Sequence, residues 1–281
     1  MKTLYIIGNG FDVMHGIPSK YSDFADYCKL NEQKLFNAMN QEFPGLIENR
    51  ENLWSNFELE LGNPDIPFLV RKAKEIGLEK VENMQEEVCV DHFTLSMAFS
   101  DWISKLSSLI HRENFPLQFV LPEEACYLTF NYTLTLEHVY GVTHVYHIHS
   151  QYNPNNREFS DYIWGHNKSD EELNADFAKY GASVVEADIH TLRDDISAWR
   201  KSYDKGNEVL YKLLAENDGV AQIIVLGHSM SEVDYMYFKE INEKYPAAHW
   251  NICYHDETDL CNKRKSAVLL GLADKVRFIA I

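Results

Sequence analysis

Four times along the sequence a short apolar run ends in asparagine, aspartate, serine or histidine, residue types that hold hydroxyls and phosphates or move protons. The first is Ile6-Ile7-Gly8-Asn9-Gly10-Phe11-Asp12-Val13, where two glycines after a strand suit close backbone approach to a phosphate. Val13 stands where a third fingerprint glycine would be, so a plain tight turn is the competing reading. In the second, Leu128-Thr129-Phe130-Asn131-Tyr132-Thr133, the Asn131 amide either caps a helix starting near Thr133 or orients a water or ribose hydroxyl. The third is Val145-Tyr146-His147-Ile148-His149-Ser150, in which alternation places His147 and His149 on one face, a pattern for a metal or a general base. Zinc would need further ligands, and His144, His166 and His228 lie in other segments without a recognised spacing. The fourth is Gly227-His228-Ser229-Met230-Ser231-Glu232-Val233-Asp234, where Ser229 and Asp234 suit a ribose or phosphate while Ser231 and Asp234 also read as a capping box. A fifth feature, Trp54-Ser55-Asn56-Phe57-Glu58, sets a carboxylate beside two aromatics on a helix, where a solvated Glu58 is the ordinary outcome.

Several chemistries lose support. The chain has no G-x-S-x-G elbow, no G-x-x-x-x-G-K-[ST] loop and no H-E-x-x-H helix. Lys and Arg number 26 against 43 Asp and Glu, a net charge of −17 that repels nucleic-acid backbones and anionic membranes. A small anionic nucleotide remains compatible, since backbone N–H groups hold phosphates locally. The five cysteines, Cys28, Cys89, Cys126, Cys253 and Cys261, form no C-x-x-C pair and read as reduced cytosolic thiols. The apolar N-terminal stretch is too short for a signal segment and no segment has the length of a membrane span, so a cytoplasmic location is expected.

These clusters need elements to position them. At 281 residues with 45% hydrophobic side chains, the chain can bury a sizeable core. Strands are expected at Leu4–Ile7, Cys126–Phe130, His144–His149, Tyr162–Trp164, Gln222–Leu226, Asn251–His255 and Val276–Ile281. Helical faces are expected at Tyr21, Phe24, Ala25 and Cys28 after a start at Pro18-Ser19, at Phe99, Trp102, Ile103, Leu106 and Ile110, and at Leu53, Trp54, Phe57 and Leu61. The gap between the first two strands exceeds an ordinary crossover. The expectation is a single α/β domain over 1–281, a Rossmann-like, mostly parallel sheet with helical insertions at 19–120 and 168–217.

Taken in order, the motifs resemble the AbiH family of bacterial phage abortive-infection proteins. The matching residues are Ile6–Asp12, His15–Pro18, Trp54–Glu58, Thr129–Thr133, the His147-Ile148-His149 pair and Gly227–Asp234; the family usually has glycine where this chain has Ser150. More distantly the order is similar to SIR2-like NAD-consuming domains of bacterial defence systems. By that resemblance Asn131 and His149 form the catalytic pair, and Gly8, Asn9, Gly10, Phe11, Asp12, Thr129, Gly227, Ser229 and Asp234 line a nucleotide cleft. It implies a phage-defence NAD or nucleotide glycohydrolase, with NAD as substrate or ligand and no metal. The alternatives are a non-catalytic nucleotide sensor or partner-binding module, and, from the histidines and acidic residues, a metal-dependent nuclease or phosphohydrolase. The partners compatible with this reading are a small nucleotide, a phage-derived trigger and further copies of the chain, with neither general nucleic-acid nor membrane binding.

Overall fold

Leu4, Ile6 and Ile7 are fully buried because β1 (Lys2–Ile7) runs inside a parallel sheet covered on both faces. Around it lie β2 (Cys126–Thr129), β3 (Val145–His147), β4 (Val220–Leu226), β5 (His249–Tyr254) and β6 (Val276–Ala280), in the order β3-β2-β1-β4-β5-β6. Every neighbouring pair is parallel. This is the Rossmann-like α/β arrangement expected from the sequence, and the strand order reverses between β1 and β4. The computed structural model describes residues 2–48, 57–76, 90, 92–153, 162–179 and 186–281. Leu53, Trp54, Ser55, Asn56 and Cys89 lie outside the described residues, as do parts of both expected insertions.

The chain divides into two compact units. The first, Met1–Ser19, Ile103–Ile163 and Tyr203–Ile281, holds the whole sheet. On one face, Leu4, Ile6, Leu128, Val225 and Ile252 pack with Leu210 and Leu213 of helix Tyr203–Glu216 and with Tyr237, Phe238 and Ile241 of helix Tyr235–Lys244. On the other, Ile7, Tyr127 and Leu226 meet Phe11, Leu136 and Cys253. Each such side chain contributes roughly 1.5–3 kcal/mol on burial, and together they fix the register of the strands. The four described cysteines are free thiols. No helix among the described residues is long and apolar enough to cross a membrane.

The second unit, Lys20–Trp102 and Trp164–Ser202, is helical among its described residues. Helix Tyr21–Asn31 buries Phe24, Ala25 and Cys28, the face its periodicity predicts, and Lys20 rather than Ser19 occupies the N-cap. The Phe24 ring lies 5.3 Å from Phe99 and 5.2 Å from Trp102, and Trp164 stacks on Phe57 at 5.9 Å.

One expected strand does not form. Tyr162–Trp164 has no strand geometry. β3 ends at His147 and the chain turns through Ile148 and His149, so β3 offers no continuing edge to pair with. The segment is tied to the end of β3 by a backbone bond from the Ile163 N–H to the His149 carbonyl at 3.1 Å.

Glu42 in the second unit is 1% exposed; its Oε2 accepts the Val90 N–H at 2.6 Å, and Oε1 has no partner among the described residues. Burial pushes its pKa up to about 8, with Asp195 adding to the rise and the Val90 amide opposing it. The folded chain therefore keeps a proton that the unfolded chain has released, and stability falls as pH rises from the ordinary glutamate range through about 8. Between those limits the loss is on the order of a few kcal/mol. Glu42→Gln keeps the Val90 bond and cannot ionise, so thermal melts at pH 5 and pH 8 should show a smaller drop in the variant. Equal drops would show that Glu42 does not carry the dependence.

Candidate functional site

The strand register brings the polar clusters to one rim. Ile7 lies level with Thr129 on one side and with Leu226 on the other, and Thr129 is level with His147. The residues that follow, Gly8, Phe130, Ile148 and Gly227, thus leave the sheet together at its carboxyl end. That end, beside the reversal between β1 and β4, is where open α/β sheets bind ligands.

The two glycine turns account for each other. Gly8 N–H bonds the Leu226 carbonyl at 3.0 Å and Gly10 N–H the Gly227 carbonyl at 2.7 Å. A Cβ on Gly227 would lie 2.2 Å from the Phe11 nitrogen, and Gly227 sits at φ 69°, in the left-handed region. A Cβ on Gly8 would lie 2.5 Å from the His228 Cα. These glycines permit backbone to pass against backbone, which explains why two suffice and Val13 is accepted where a third would stand.

Around that contact the expected cleft residues divide. Asn9 exchanges its amide with Ser19, receiving the hydroxyl at 2.7 Å and donating to the carbonyl at 2.8 Å. The Phe11 ring is fully buried beside His15, Phe119 and Tyr140, so it serves the core. Thr129 Oγ1 accepts the Asn131 N–H at 3.1 Å and fixes the end of β2. Ser229 is exposed at the tip of its turn.

Asp12, Asn131 and Thr133 come together. Asp12 is fully buried and accepts the Thr133 hydroxyl at 2.5 Å, and Thr135 in turn donates to Thr133 at 3.3 Å. Burial raises the pKa of Asp12 above the usual carboxylate range, opposed by the Thr133 hydroxyl and by the nearby Thr135, His15 and Asn131 side chains. The Asn131 side chain lies near this carboxyl group, and its Oδ1, buried, has no hydrogen-bond partner among the described residues, nor has Asp12 Oδ1. Sequence reasoning assigned Thr133 only to a helix start; the helix begins at Thr135, and Thr133 serves Asp12.

The two histidines of the third cluster separate, because the alternation ends with β3. His147 bonds the Asn131 carbonyl at 3.1 Å and the Glu137 carboxylate at 2.8 Å, a structural tie. His149 instead packs edge-on to Phe130 at 5.1 Å, stacks on Tyr132 at 5.9 Å and has Nε2 3.3 Å from Asp234 Oδ1, a charge contact without hydrogen-bond geometry. The other carboxylate oxygen of Asp234 lies 3.5 Å from His228 Nε2. Ser231 heads the turn without a side-chain cap bond, so the expected capping box yields to this histidine contact. Sequence reasoning left His228 as an unassigned metal candidate; its place directly after a strand-end glycine was the available signal. Among the described residues no group of three or more His, Cys, Asp or Glu is arranged to hold a metal ion.

Glu58 belongs to the second unit, where Tyr21 donates to Oε1 at 2.6 Å and Lys201, wholly buried, to Oε2 at 2.9 Å. His166, also there, accepts the Lys168 N–H on Nδ1 at 3.1 Å and donates from Nε2 to the Ile196 carbonyl at 2.9 Å. Burial holds its pKa below the ordinary histidine value. Both are internal ties of that unit.

Ser150 follows His149 at φ 72°, a left-handed conformation that costs a residue with a Cβ about 1 kcal/mol or more. Glycine, usual at this place in the family resembled, removes that cost. Ser150→Gly should raise stability by ~0.5–1 kcal/mol and Ser150→Val lower it, read from denaturant midpoints at unchanged slope. A destabilised glycine variant would mean the serine side chain makes a compensating contact.

No curated protein matches the chain. A family model described as bacteriophage abortive infection AbiH matches residues 4–254, a span that takes in every one of the rim clusters. The chain belongs to the AbiH family of bacteriophage abortive infection proteins.

Proposed function

We propose that the chain acts in phage defence as a glycohydrolase of NAD or a related nucleotide, with Asn131 orienting the attacking water and His149 taking its proton. The observation that carries this reading is the Asn131 amide, whose side-chain oxygen is buried without a hydrogen-bond partner among the described residues just past the end of β2. An amide oxygen so placed accepts a hydrogen bond from a water or a ribose hydroxyl. His149 follows β3, the neighbouring strand, on the same rim. In the reaction the bond from ribose C1′ to the nicotinamide nitrogen breaks with its electron pair leaving on nicotinamide, which departs neutral. Water oxygen bonds to C1′ and its proton passes to the imidazole. No general acid is required, and a positioned base contributes roughly 10²–10⁴ in rate.

A second reading, a nucleotide sensor without turnover, is favoured by the burial of both residues, Asn131 at 6% and His149 at 4% exposure. One experiment separates the two. Purified protein is incubated with NAD and nicotinamide is followed by chromatography, beside Asn131→Ala and His149→Ala, with calorimetry on the same samples. Release of nicotinamide that falls by about 10²-fold or more in each variant supports the enzyme. Equal turnover in all three samples would sink the assignment, and binding without product would establish the sensor.

A further inference from the structure

The tautomer of His228 is set by its own backbone. The Met230 N–H donates to His228 Nδ1 at 2.8 Å, and a backbone amide can only donate, so Nδ1 carries the lone pair. In the neutral ring the proton then sits on Nε2, the nitrogen that faces Asp234 Oδ2 at 3.5 Å. The second oxygen of the same carboxylate faces His149 Nε2 at 3.3 Å. All three groups are nearly inaccessible, at 4% for His228, 6% for Asp234 and 4% for His149.

The turn that delivers His228 is held for this purpose at some conformational cost. Met230 adopts φ 56°, left-handed for a residue with a Cβ, and thereby aims its N–H at the imidazole. Its carbonyl accepts the Ser266 hydroxyl at 2.9 Å, and Tyr235 donates to Ser266 at 3.0 Å. Phe130 and Phe238 pack edge-on to the His228 ring at 4.3 and 5.1 Å, which fixes its plane. Simple turn closure would not require an orienting acceptor, a strained residue and two ring contacts.

We infer that His228 and Asp234 are positioning residues for His149. The His228 Nε2–H faces one oxygen of the Asp234 carboxylate, and the negative charge of the other, 3.3 Å from His149 Nε2, favours a proton on that nitrogen and so leaves the basic lone pair of His149 on Nδ1. Asp234 thus turns from the ribose ligand expected from sequence into the orienter of the base. This rests on the reading of His149 as base, but the tautomers are measurable without any turnover.

The test uses the full-length protein labelled with ¹⁵N in histidine, and reads the imidazole nitrogens by NMR in wild type, Asp234→Asn, His228→Leu and His228→Gln. The expected wild-type spectrum has His228 with a bare Nδ1 and His149 protonated on Nε2. Asp234→Asn and His228→Leu should shift His149 toward the Nδ1–H form. His228→Gln, whose amide restores a donor near Nε2, should return most of the wild-type signal. Where NAD is hydrolysed, kcat should fall about 10–100-fold in His228→Leu with KM nearly unchanged, and recover in His228→Gln. A His228 ring protonated on Nδ1, or a His149 tautomer indifferent to every substitution, would overturn the inference. So would a stoichiometric metal ion in the purified protein. Normal tautomers without nicotinamide release would leave the inference standing and remove the glycohydrolase.

Discussion

The rim depends on one backbone contact, the Gly10 N–H to the Gly227 carbonyl at 2.7 Å where β1 and β4 end side by side. Two chains approach so closely only if neither carries a Cβ at the crossing, and a Cβ on Gly227 would strike the Phe11 nitrogen at 2.2 Å. With that contact made, Asp12 is directed under Thr133, and the turn from Gly227 to Asp234 is directed toward His149. The two polar networks of the rim are thus anchored on either side of a single crossing. The glycines matter first as a joint and only then as the floor of anything bound above it.

Conformational strain gathers at the same rim. Ser150 and Met230 are the described residues other than glycine with positive φ, and each adjoins an imidazole contact, the one following His149 and the other donating to His228. Strained backbone of this kind persists where surrounding bonds over-determine it. The bonds are present: Ile163 to His149 and Tyr152 to Tyr132 on one side, Ser266 to Met230 on the other. Asp12 adds a second cost, a carboxyl group taken wholly out of water, with one oxygen met by the Thr133 hydroxyl and the other without a partner among the described residues. Such expense within a few residues of Asn131 and His149 sets this rim apart from the rest of the sheet, whose interior is apolar.

The second unit follows a different logic. Its buried charge is neutralised in place: Lys201 and Tyr21 take both oxygens of Glu58, and rings enclose the neighbourhood, with Phe57 between Phe24 and Trp164. Breaking one partner of such a pair strands the other in a low-dielectric interior, which is why these residues behave as a set. Glu42 is the exception, with one oxygen unpartnered among the described residues.

The sequence by itself determined the fold class and the list of polar clusters, because both are local properties. Apolar runs such as Leu4–Ile7 and Gln222–Leu226 mark buried parallel strands, and the glycine, asparagine or histidine after each marks a strand end. It did not determine what each polar residue does. Asn9 and Ser19, Asp12 and Thr133, and Asp234 with its two histidines meet across separations that no pattern of spacing encodes. Alternation put His147 and His149 on one face, but alternation lasts only as long as the strand, and β3 stops at His147. Only the tertiary structure decided that, since where a strand stops, and which carboxylate then meets which imidazole, depends on the register of neighbours distant in the chain. The glycines likewise read as a partial ligand fingerprint in isolation. Their reason is a steric contact between Gly10 and Gly227, and a contact between two segments is a property of neither alone.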